Sequence, residues 1–71
     1  MTNTQAFEDN QAQASAELDA ACEVLQAARD NLMRGRLTAL IAAEGQIAAA
    51  ARVLSTASFH TGLAYAALAT S

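Results

Sequence analysis

Seventy-one residues with a formal charge of −3 describe one small domain, near the size at which a single core becomes marginal. The lone cysteine, Cys22, rules out an internal disulfide, and one cysteine with one histidine cannot supply a four-ligand structural zinc site. Twenty positions are alanine, proline is absent and only three glycines occur, so helix propensity is high almost throughout and an all-α chain is expected.

The first helix is expected over about 4–34. Thr4 is a good N-cap, and Glu8 and Asp9 follow early enough to favour the positive end of the helix dipole. Alternate steps of four and three pick out Phe7, Gln11, Ala14, Leu18, Ala21, Leu25, Ala28, Leu32 and Gly35. From Ala14 to Leu32 this is a strict alternation of alanine and leucine at 3.5-residue spacing, the period of a coiled-coil seam. Alanine at every second position lets a facing backbone approach closely, and leucine fills the space beside it.

A turn is expected at about 35–36, within "MRGRL". Gly35 can take the left-handed conformation that ends a helix, and Arg34 stands where a cation favours the C-terminal dipole. The second helix is expected over about 37–69, with a seam of Leu37, Leu40, Glu44, Ile47, Ala51, Leu54, Ser58, Thr61, Tyr65 and Leu68. Within it, "STASFHTG" weakens helix propensity through four Ser/Thr residues and Gly62, which raises a kink or a short third helix near 58–62. Equal arms about one glycine give the expected fold: a single-domain antiparallel helical hairpin with an Ala/Leu coiled-coil-like seam. One continuous helix is the rival.

Charge is uneven along the chain. Residues 1–23 carry five acidic side chains and no basic one, whereas residues 24–71 hold all four arginines against Asp30 and Glu44. In a hairpin turning at 35–36, opposed residue numbers total about 71–73. That sets Arg52 near Asp19, Glu44 near Arg29 and His60 near Gln11, far from Cys22. Glu44 falls on the expected seam between Leu40 and Ile47, where a polar side chain specifies register or partner.

No catalytic, cofactor or metal site is expected. His60 and Cys22 do not approach each other as a nucleophilic pair must, and Cys22 is expected to be a small buried filler. Arg29, Arg34 and Arg36 cluster at the turn, but an acidic chain without lysine or aromatic platforms argues against nucleic acid. Glu44 and Arg52 interrupt the apolar run of the second arm, which argues against a membrane span.

Function is therefore read as assembly. The hairpin seam is expected to be Leu18, Ala21, Leu25, Ala28, Leu32, Leu40, Ile47 and Leu54. A second stripe on the second arm, Ile41, Gly45, Ala48 and Arg52, is expected to receive another protomer. The expected role is a non-enzymatic subunit that forms homo-oligomers or docks on a virion, filament or similar assembly. The alternative is a small inhibitor or adaptor presenting an apolar helix face to one protein target. No basic cluster precedes an apolar run at the N-terminus, so no secretory signal is expected, and the cytoplasm or an assembly is the expected location.

Overall fold

The computed structural model describes residues 3–70. Two helices, α1 (Asn3–Arg34) and α2 (Leu37–Ala69), are joined by Gly35 and Arg36. They pack along their whole length as an antiparallel hairpin measuring 52 × 14 × 13 Å over the Cα positions.

Gly35 makes the reversal. Its φ of +66° is the only positive value among the described residues, and its N–H donates to the Leu32 carbonyl at 3.3 Å. A residue with a Cβ is strained there, so the left-handed step falls on glycine. Arg36 has extended backbone and caps α2 without a side-chain hydrogen bond, its carbonyl accepting from the Leu40 N–H at 2.9 Å.

Two local expectations are corrected. Helix α1 begins at Asn3, so Thr4 lies inside the first turn instead of capping it, and Glu8 and Asp9 come after that turn. Helix α2 runs unbroken through 58–62, with neither a kinked break nor a third helix. The hydroxyls there bond to the helix itself: Thr61 Oγ1 donates to the Ala57 carbonyl at 2.8 Å, and Thr56 Oγ1 to the Arg52 carbonyl at 3.2 Å. Their hydrogen-bonding capacity is met without opening the backbone.

The interior is made of alanine. Among the described residues every buried one is alanine: Ala14, Ala21 and Ala28 in α1, and Ala39, Ala43, Ala50, Ala57 and Ala64 in α2, with Ala50 at 0% exposure. Apart from Ala39 they recur every seven residues in each helix. Lettering each repeat a to g from the recurring alanines puts Ala14, Ala21, Ala28, Ala43, Ala50, Ala57 and Ala64 at a. The partly buried Asn10, Glu17, Val24, Asn31, Gln46, Val53, His60 and Ala67 then fall at d, together with buried Ala39.

This corrects the expected seam. Ala21 and Ala28 are buried, but Leu18, Leu25, Leu32, Leu40, Ile47 and Leu54 are all exposed, at 39–55%. The sequence reading joined a to e in α1 and b to e in α2, and so ran the seam through the largest side chains. With only two helices, the pair closes on its smallest side chains. A methyl group at each of these seven a positions allows the axes to approach toward the short end of the ~8–10 Å range.

Candidate interaction surface

Two cross-helix hydrogen bonds fix the register. Asn31 Nδ2 donates to Gln46 Oε1 at 3.0 Å, and His60 Nδ1 pairs with Glu17 Oε1 at 2.9 Å with the imidazole N–H donating. Arg34 Nη1 extends the first pair by donating to Asn31 Oδ1 at 3.1 Å, and Gln13 Nε2 extends the second by donating to Glu17 Oε2 at 3.4 Å. Both cross-helix pairs share a residue-number total of 77, not the expected 71–73. The difference comes from side-chain direction. Each Cα–Cβ bond tilts toward its own helix N-terminus, so α1 side chains lean away from the turn and α2 side chains lean toward it. Two side chains that meet therefore start from backbone positions farther apart in number than the turn implies.

His60 accordingly lies beside Glu17, not Gln11. The sequence reading missed all four register residues, Glu17, His60, Asn31 and Gln46, and gave the role to Glu44. Glu44 is exposed at b, and it makes no ion pair with Arg29; nor does Arg52 with Asp19. Among the described residues the Glu17–His60 contact is the one within ion-pair distance. Cys22 is exposed, also at b, and is not a buried filler.

Leu18, Leu25 and Leu32 of α1 and Leu40, Ile47 and Leu54 of α2 all occupy e. In an antiparallel pair, like-lettered flanks fall on the same side, so these six side chains form one face of the hairpin, continued by Leu68. The opposite face, at g, is half alanine, with Gln13, Arg34, Thr56, Thr70 and a single leucine, Leu63, making up the rest. The molecule thus keeps its aliphatic bulk outside, with its small side chains within. The charged rim of the aliphatic face, at b, holds Glu8 and Arg29 on α1 and Glu44 on α2. No family model, no curated protein and no solved structure matches this chain.

Ile41, Gly45, Ala48 and Arg52 are exposed at f and c, on the side of α2 turned away from α1. Of these only Ile41 is a large apolar group. Arg29, Arg34 and Arg36 lie in the last turns of α1 and at the start of α2, all exposed. Among the described residues no cavity is enclosed, and no three His, Cys, Asp or Glu side chains converge. Helix α2 is long and apolar enough to cross a membrane, by length and composition.

Proposed function

We propose that this protein is a non-enzymatic assembly subunit whose aliphatic face packs against other helices, in a homo-oligomer or on a larger structure such as a virion or filament. The observation that carries the reading is the division of apolar groups: eight buried alanines inside, six large aliphatic side chains aligned on one exposed face. Contiguous apolar surface of this kind marks an interaction site, whereas singly scattered leucines do not. An assembly that covers the face also supplies what a chain of this size lacks, a core of large side chains.

The face at e is preferred over Ile41, Gly45, Ala48 and Arg52. It is wider, because both helices contribute, and no charge interrupts it. Sedimentation velocity over a concentration series tests the reading. Self-association through this face gives a species larger than 7.3 kDa that shrinks when Leu25 or Leu54 is changed to a polar residue. A single compact monomer at all concentrations, with no change on those substitutions, refutes self-association through this face.

A further inference from the structure

We infer that the aliphatic face is covered by a second copy of this chain, related by a two-fold axis along the hairpin, to give a four-helix bundle with both turns at the same end. The inference rests on the assembly reading above and adds stoichiometry and orientation to it.

Area points to a partner of the same size. A compact 7.3 kDa protein exposes about 4,200 Å² by the usual mass scaling. The hairpin exposes 5005 Å². The excess comes from the rod shape; a standard stable interface takes about 800 Å² from each partner, and a face 52 Å long and 14 Å wide is of that size. One copy laid on the aliphatic face removes an area of this order from each protomer, and a two-fold contact uses the same patch twice.

Charge selects the orientation. Helix α1 carries six acidic side chains and two arginines, a balance of −4; α2 carries Glu44 and Arg52, a balance of zero. Two in-plane two-fold arrangements bring the face onto itself. With the turns at opposite ends, α1 lies on the partner's α1, and two helices of charge −4 are stacked. With the turns together, α1 lies on the partner's α2, and each acidic helix meets a neutral one. The second arrangement avoids the repulsion. It also sets the rim residue Arg29 of one protomer beside Glu44 of the other, twice by symmetry. Among the described residues neither side chain has an ion-pair partner.

Sedimentation equilibrium of the full chain, with far-UV circular dichroism to follow helicity, is the test. The wild type is expected as a dimer at micromolar concentration. Leu25→Glu, which puts a charge at the centre of the face, should weaken the dimer about a hundredfold or more. Arg29→Glu should weaken it about tenfold, and Arg29→Glu combined with Glu44→Arg should recover most of that loss. These rim changes lie on exposed positions, so they probe orientation even where Leu25→Glu fails to fold. If the double exchange brings no recovery, the turn-together orientation is overturned. A trimer or open filament overturns the two-fold inference while leaving the assembly reading standing; a monomer overturns the inference and self-association with it. A chain that stays monomeric in buffer but floats with phosphatidylcholine vesicles has a bilayer as its cover, which also overturns the inference.

Discussion

At the scale of single residues, the fold depends on where a Cβ is present and where it is absent. Gly35 has open space around it, with nothing within 4 Å of an added Cβ, so any penalty there comes from backbone conformation alone. Gly35→Ala should lower stability by about 1–2 kcal/mol, because an L-residue at φ +66° is strained. Urea denaturation measures it. A midpoint that rises would mean the residue is helical in solution and the two arms are one rod. The seam alanines obey the opposite rule, since they leave no room to grow. Ala50→Leu should cost about 1–3 kcal/mol by overpacking, whereas Ala48→Leu, two residues earlier on the outer side of α2, should change stability by less than about 0.5 kcal/mol. Equal effects at the two positions would remove the buried-alanine seam.

At the scale of the helices, register is set by the d positions, where two polar pairs flank Val24 and Val53. A slip of seven residues would place Glu17 against Val53 or Ala67 and separate Asn31 from Gln46, leaving half-buried polar groups unpaired. Glu17→Ala should therefore destabilise by about 1–3 kcal/mol, while Glu17→Val with His60→Val should recover much of the loss, since an apolar pair leaves nothing unsatisfied. Thermal melts of Glu17→Val, His60→Val and the double variant give the coupling. Strictly additive losses would mean that the 2.9 Å contact does not specify register. The hairpin itself was legible in the sequence: equal arms, a lone glycine between basic residues, and uninterrupted helix formers. The facing surfaces were not. A search for a seam follows the largest apolar side chains, and here those lie one step outside it. The informative signal was alanine at an unbroken seven-residue interval, Ala14 to Ala28 and Ala43 to Ala64. Complementary polar residues three positions later, Glu17 with His60 and Asn31 with Gln46, completed it. The same displacement explains why Glu44, which stood on the expected seam, is exposed at b.

For the whole molecule, the division between small inside and large outside ties stability to association. In the lone hairpin Leu25 is 39% exposed, so its truncation removes only part of a buried leucine's contribution. Covered on the aliphatic face, the same side chain is enclosed, and Leu25→Ala should cost about 2–5 kcal/mol. Phe59, at c and away from that face, is exposed at 64% and meets His60 edge-on with ring centroids 5.5 Å apart; Phe59→Ala should cost no more than about 1 kcal/mol, and the same amount at every concentration. Concentration separates the contributions, because anything that binds the folded state stabilises it by mass action. Each tenfold rise in wild-type concentration should add about 1.4 kcal/mol to the stability of the assembled form. The gap between wild type and Leu25→Ala should widen as concentration increases and close on dilution, while the Phe59→Ala curve stays parallel to the wild type throughout. Melts recorded across two decades of concentration measure all three. If the Leu25→Ala curve keeps a constant offset from the wild type at every concentration, the leucine stabilises only its own hairpin and the aliphatic face is not what the chain uses to assemble.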